Sequence, residues 1–157
     1  KDSSKSRPAI LDRVLFFYNP GETDNPVTPV DRGEIDNDKW IEWAGGIWTG
    51  ISESDTLQYT TARDPEDEKH ICPLQLGTIE RCIKLYSSPG ETVLTPFMGI
   101  GSEAYQAIRF GRKAIGIELK PSYYRVAIGN LQSAERKANA PDLFSLAGID
   151  IDALQDQ

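Results

Sequence analysis

The residues whose types and spacing could do chemistry lie between Thr92 and Leu119, in TVLTPFMGIGSEAYQAIRFGRKAIGIEL. Gly99 and Gly101 follow Pro96, and a turn of that composition presents backbone rather than side chain to a ligand. Glu118 closes the apolar run of Ala114, Ile115 and Ile117, and a carboxylate at the carboxyl end of a buried strand is placed to accept hydrogen bonds from ribose hydroxyls. Ser102 can cap the helix that follows the turn, and the first N–H groups of that helix lie beside the same ligand. Phe97, inserted between strand and first glycine, suggests packing against a ligand or a lid. Together these residues point to a nucleoside-bearing cofactor bound across two adjacent parallel strands.

The elements that must position them are legible in the apolar pattern. Val93 and Leu94 form a short strand, and Ala104, Ala107 and Ile108 recur at helical spacing until Gly111 can end the helix. Ala114 to Ile117 supply the second strand. Gly99-Ile-Gly101-Ser-Glu-Ala104 also meets the loose dinucleotide pattern, a weak match alone. Thr95-Pro96-Phe97-Met98 makes a longer loop than a pyrophosphate turn needs, which counts against a nicotinamide cofactor. A purely structural turn is the plain alternative.

On either side, Leu76, Ile79, Ile83 and Tyr86 predict a helix opened by His70-Ile-Cys-Pro-Leu-Gln75, and Tyr124, Ala127, Ile128 and Leu131 predict a longer one from Pro121 to about Asn139. Arg13-Val-Leu-Phe-Phe-Tyr18 reads as a strand ended by Asn19-Pro20-Gly21. Residues 22–38 carry Pro26, Pro29, Gly33 and many acids, and read as a loop or mobile connection. Residues 40–44 predict a short helix broken by Gly45-Gly46. Trp40, Trp43 and Trp48 are all the tryptophans in the chain; core anchoring is their default reading, an aromatic surface for a partner or a base the alternative. The charge run from Asp64 to Lys69 reads as solvated, the start KDSSKSRP as frayed, and the acidic tail from Asp142 as a small docked helix.

At 157 residues the chain suits one modest domain, and its 39% apolar content implies that part of it is extended or covered by a partner. No run of about 18 apolar residues exists to span a membrane. With a polar start unlike a signal peptide, the expected location is the cytoplasm. Cys72 and Cys82 match no metal spacing with the single histidine, so no metal site is expected and both read as reduced packing residues. The net charge of −7 excludes a basic surface over the whole chain. Residues 80–137 are nonetheless net basic through Arg81, Lys84, Arg109, Arg112 and others, so any nucleic-acid contact would be local; solvated helix faces are the plainer reading of those charges.

The order of these segments resembles the C-terminal half of the β-class DNA amino-methyltransferases, which transfer a methyl group from S-adenosylmethionine to adenine N6 or cytosine N4. His70-Ile-Cys-Pro73-Leu-Gln75 resembles the element that opens the helix before the family's cofactor strand. Ser88-Pro-Gly-Glu-Thr-Val-Leu-Thr-Pro-Phe-Met-Gly-Ile-Gly101-Ser is similar to the motif Pro-Gly-Asp-x-Val-Leu-Asp-Pro-Phe-x-Gly-Ser-Gly-Thr. Gly111-Arg-Lys-Ala-Ile-Gly-Ile-Glu118-Leu-Lys-Pro-Ser-Tyr123 resembles the motif after it, whose acid binds ribose. The Gly-Ile-Gly-Ser-Glu and Cys-Pro-Leu-Gln versions look most like phage or prophage adenine-type enzymes.

The resemblance implies an α/β fold, a partial Rossmann-like S-adenosylmethionine-dependent methyltransferase with a mostly parallel sheet flanked by helices. It implies a cofactor-binding core over residues 66–140, the end of a catalytic half plus a variable recognition segment over 1–65, and a tail over 141–157. It implies S-adenosylmethionine as cofactor, held by His70, Pro73, Gln75, Thr95, Phe97, Gly99, Gly101, Ser102 and Glu118, and DNA as partner through the intact enzyme, of restriction-modification type. Two departures stand out. Thr95 takes the place of an aspartate expected near the cofactor's amino group, and threonine carries no charge. The family's catalytic Asp-Pro-Pro-Tyr or Ser-Pro-Pro-Tyr element, which holds the flipped base, occurs nowhere in the sequence. The expectation is therefore a fragment of an adenine-N6 methyltransferase with no catalytic residue of its own, inactive alone, completed by an N-terminal catalytic half or assembled as a homo-oligomer. The alternative is a non-catalytic module that binds cofactor or partner.

Overall fold

The computed structural model describes residues 13–17, 19, 27–58 and 73–140. Its elements run α1 (Asn37–Trp43), α2 (Leu76–Tyr86), β1 (Thr92–Thr95), α3 (Ser102–Arg109), β2 (Lys113–Gly116) and α4 (Pro121–Ala138). β1 and β2 pair in parallel, with Thr92 opposite Lys113 and Thr95 opposite Gly116. A parallel pair needs a crossover, and α3 supplies it, packing on both strands and against α2 and α4. This is an α/β fold, a partial Rossmann-like arrangement with helices beside a small parallel sheet.

Two clusters share α3. Ile79 and Ile83 of α2 meet Ala107, with Leu76, Val93, Phe110 and Ala114 around them. On the other side Met98, Ala104 and Ala127 pack together with Ala114 and Leu131. Small residues on α3 let its neighbours approach: Ala104 and Ala107 are wholly buried. Buried Gln106 ties α3 to α2 by donating to the Leu76 carbonyl at 2.9 Å. The opposite face of the sheet is bare, with Leu94 61%, Ile115 55% and Ile117 52% exposed.

Local chemistry sets the helix ends. Asp36 caps α1 by accepting from the Lys39 N–H at 2.7 Å. At α2, the Asp55 carbonyl and carboxylate accept from Leu76 N–H at 2.7 Å and Gly77 N–H at 3.1 Å. Part of the polar stretch after Glu53 is thus a remote helix cap. Pro121 opens α4 at its first turn, where a missing N–H costs nothing, and Arg136 and Lys137 lie in its last turn.

Several expectations are corrected. Residues 13–17 form no strand and no other regular element; Phe16 stacks on Tyr86 at 3.9 Å and meets Trp48 edge-on at 6.5 Å. Aromatic packing, not sheet pairing, accounts for that apolar run. Of the expected loop or mobile connection over 22–38, residues 27–36 are a loop of turns and bends bonded to the rest of the fold, while 37 and 38 already belong to α1. Within it the Glu34 N–H donates to the Pro29 carbonyl at 3.0 Å, and Glu34 itself accepts from Arg32 at 2.7 Å and from both ends of the Arg112 guanidinium. Burial disfavours the Glu34 carboxylate, but the hydrogen bonds from Arg112 and Arg32 outweigh it and hold its pKa below the usual range.

Arg112 and Arg81 are not on solvated faces either, being 3% and 8% exposed. Arg81 lies over the Trp43 and Trp48 rings at 5.4 and 5.8 Å and donates to the Thr49 carbonyl at 2.9 Å. Trp48 in turn donates to the Trp43 carbonyl at 2.7 Å. The tryptophan segment is therefore anchored to α2 through a buried cation. Cys82 is a free, half-buried thiol whose pKa burial pushes up. The charge run 64–69, Cys72, His70 and the tail from residue 141 lie outside the described residues.

Candidate cofactor site

The glycine turn is built by continuing the parallel ladder past the strands. Ile117 N–H donates to the Thr95 carbonyl at 3.0 Å, and Met98 N–H to the Ile117 carbonyl at 2.8 Å. The turn then closes through Gly101 N–H to the Met98 carbonyl at 2.8 Å. Gly101 is the residue before the helix, with φ of 90°, and a Cβ there would meet the Ala127 Cβ at 3.3 Å. Both the left-handed backbone and the approach of α4 therefore require glycine. Ser102, expected as the cap, is instead the first residue of α3, 4% exposed, and no side chain caps this helix. The cap position goes to Gly101 because only a left-handed residue turns the chain from the loop into the helix.

Glu118 closes the turn. One carboxylate oxygen accepts from Gly99 N–H at 2.7 Å and the other from Lys120 N–H, also at 2.7 Å. The acid at the end of β2 thus fixes the first glycine of the loop after β1, and its remaining lone pairs stay able to accept from a ligand. Asn130 of α4 steadies the same loop by donating to the Ile100 carbonyl at 2.8 Å.

Beside this turn lies an open cleft of about 250 Å³, walled by Pro73, Leu74, Phe97, Gly99, Ser102, Glu103 and Tyr123 among others. Of the residues expected at the site, the structure brings Pro73, Phe97, Gly99 and Ser102 to the wall. Phe97 stands 88% exposed, its ring offered to whatever fills or covers the cleft. Gly101 and Glu118 are not among those wall residues; they frame the turn beside the cleft. Thr95 is buried at the end of β1, where its carbonyl serves the ladder. Gln75 precedes α2 and uses its carbonyl on the Thr78 and Ile79 N–H groups at 3.1 and 3.2 Å, away from the cleft wall. His70 lies outside the described residues.

Glu103 and Tyr123 also line the cleft, beyond the residues expected there. Tyr123 closes the Gly111-to-Tyr123 motif, so its signal was present. Glu103 gives none, because an acid in the first turn of a helix is ordinary. In the structure it is half-buried in the cleft wall, and burial raises its pKa, its own N–H offsetting this only in part. Gly116 carries no such signal either: a Cβ there would collide with the Met98 sulfur.

A glycine turn framed by a strand-end acid, at the carboxyl ends of two parallel strands, defines a protein of the Rossmann-like cofactor-binding class. Comparison with known proteins narrows the class. A family model for DNA methylases of the N6/N4 type matches residues 4–129, and the chain belongs to that family. It is 32% identical over 124 residues to the type II methyltransferase M.BglI of Bacillus subtilis, covering 78% of this chain and 31% of that protein. A DNA adenine methyltransferase of Escherichia coli, YhdJ, is 36% identical over 69 residues, or 44% of this chain and 24% of its own length. The crystal structure of a DNA modification methylase from Thermus thermophilus, complexed with S-adenosyl-L-methionine, superposes with a TM-score of 0.54 at 25% identity, covering 74% of this chain and 41% of that one. The matched stretch thus spans about a quarter to two fifths of these longer relatives.

Proposed function

We propose that this chain is the methyl-donor portion of a DNA amino-methyltransferase, binding S-adenosylmethionine in the cleft beside the glycine turn and serving an intact enzyme that methylates adenine N6. The observation that carries the reading is the Glu118 carboxylate locking Gly99 at the carboxyl ends of β1 and β2, in a chain of the DNA methylase family. The adenine assignment leans on the similarity to YhdJ, a DNA adenine methyltransferase.

The residues present fit such a group. A nucleoside carrying an amino acid needs an aromatic or apolar wall, backbone donors for its carboxylate and acceptors for its hydroxyls and ammonium. Phe97 and Leu74 supply the first, the start of α3 the second, and Glu118 and Glu103 the third. The cleft is at the small end of ligand pockets and open to solvent. When bound, S-adenosylmethionine supplies an activated methyl on sulfur to an exocyclic amine. The part of this chain is to bind and orient: Glu118 accepts from the ribose, α3 directs its first N–H groups at the donor's carboxylate, and Phe97 packs over the nucleoside. The groups that grip the flipped base belong to an element this sequence lacks, and for that reason a non-catalytic cofactor-binding module is the second reading.

Calorimetric titration with S-adenosylmethionine tests the proposal. Binding is expected, with Glu118→Ala weakening it about tenfold or more through loss of a hydroxyl acceptor and of the turn's anchor. Folded protein that does not bind removes the cofactor assignment. A radiolabelled methyl-transfer assay on unmethylated DNA is expected to be negative for this chain alone; turnover would overturn the dependence on a further catalytic element.

A further inference from the structure

Glu103 is a carboxylate with no cation paired to it among the described residues. It stands in the cleft wall with Phe97, Ser102 and Tyr123. Among the described residues no lysine, arginine or histidine forms an ion pair with it, whereas half-buried Glu34 is held by two guanidiniums and half-buried Glu118 by two backbone N–H groups from other residues. Lys120 lies over the ring of Tyr123, another residue of that wall, at 4.4 Å. Desolvation weighs on Glu103 more than its own backbone N–H relieves it. A carboxylate kept partly out of water with no countercharge destabilises the empty protein, so its place in the wall calls for a positive group that arrives from outside.

The proposed cofactor offers two positive groups, the α-ammonium and the sulfonium. Only the ammonium donates hydrogen bonds, and a carboxylate gains most from a charge-assisted donor. Position favours it too. Glu118, at the end of β2, marks the ribose side, while Glu103 sits across the glycine turn in the first turn of α3, where the helix N–H groups attract the neighbouring carboxylate of an amino acid. We propose that Glu103 binds the α-ammonium of the methyl donor and makes this site selective for nucleosides that carry an amino acid. Thr95, buried and uncharged, has no charge to give there, so Glu103 supplies the anionic contact in its stead. This inference rests on the methyl-donor reading above.

The test compares three ligands on the full 157-residue chain by calorimetry: S-adenosylmethionine, S-adenosylhomocysteine, which keeps the ammonium but lacks the sulfonium charge, and methylthioadenosine, which lacks the amino acid. Glu103→Gln is expected to weaken the first two alike, by about tenfold or more, and to leave methylthioadenosine within about twofold. Glu118→Ala is expected to weaken all three. The thermal midpoint of ligand-free Glu103→Gln is expected not to fall, because the change removes an unpaired buried charge, so a collapsed fold cannot imitate the result. Unchanged affinity for all three, equal loss of all three, or loss confined to S-adenosylmethionine would each overturn the ammonium assignment. If wild type binds none of them, the methyl-donor reading falls and takes this inference with it. If wild type binds and Glu118→Ala weakens all three while Glu103→Gln changes nothing, the reading stands and only the role of Glu103 is lost.

Discussion

Gly116 and Met98 decide how closely the glycine turn can lie on the sheet. The missing Cβ of Gly116 leaves the room that the Met98 side chain occupies, and Met98 is 4% exposed and central to the packing of Ala104 and Ala127. Alanine at 116 would place a methyl against the sulfur and force Met98, the residue just before Gly99, to move. Gly116→Ala is expected to cost about 1–3 kcal/mol in urea unfolding, as overpacking does. Met98→Ala is expected to cost about 2–5 kcal/mol through the cavity it leaves. Because both changes act on one contact, the double variant should be more stable than the sum predicts by about 1 kcal/mol or more; strict additivity would show that the two residues do not meet. At this scale the sequence was legible where a residue's type alone states its role. Gly99, Gly101 and Glu118 stand out in the sequence because a left-handed turn and a strand-end acid admit few residue types. Gly116 reads as an ordinary strand glycine and Glu103 as an ordinary helix-start acid, and only their neighbours across the fold give them meaning.

The helices and strands from α2 to α4 follow from local pattern, since each carries its apolar face at the period of its own geometry and a proline or glycine at its boundary. The segment over residues 27–36 does not, because what orders it is Arg112, 78 positions away in sequence. Composition there spells a loose loop, and two guanidiniums closing on Glu34 turn it into part of the core. This pairing carries a pH dependence with a definite sign. Burial opposes the charge on Glu34, the arginine hydrogen bonds prevail, and the folded pKa is depressed. Its contribution is therefore complete above the unfolded pKa of about 4.3 and is lost as pH falls through the folded value. Glu34→Gln is expected to lose about 2–3 kcal/mol at neutral pH, because the wholly buried Arg112 side chain is left with an uncompensated charge. The gap between wild type and variant should narrow on acidification below about pH 4, when Glu34 itself takes up a proton. Thermal unfolding of both proteins from neutral to acid pH checks this, and a constant gap would mean that the ion pair is not what orders the segment. The aromatic run at residues 13–17 has the same lesson in reverse: its composition favours a strand, but what it makes is a ring stack of Phe16 on Tyr86 and no ladder.

At the scale of the whole molecule the fold is one-sided. α3 covers one face of the β1–β2 pair, while Leu94, Ile115 and Ile117 on the other remain more than half exposed, and Leu119 beyond them is 92% exposed. Among the described residues neither strand has a second neighbour, so both edges also carry unpaired backbone groups. Parallel strands are ordinarily covered on both faces, because their residues are apolar on both. The relatives are two to three times longer than the stretch matched by this chain, which agrees with a face that further structure would cover. With nothing else supplied, the ready source of apolar surface is a second copy of the chain, and bare edges reinforce that association. Sedimentation of the 157-residue protein is therefore expected to reveal self-association that grows with concentration. Leu94→Lys with Ile115→Lys should suppress it while far-UV circular dichroism stays unchanged, since both side chains point away from the cluster that joins α2 and α3 to the sheet. S-adenosylmethionine affinity should also survive in that variant, because neither residue lines the cleft. A chain that stays monomeric at high micromolar concentration would show that the bare face is stable in water, and the argument from exposed apolar area would fail with it.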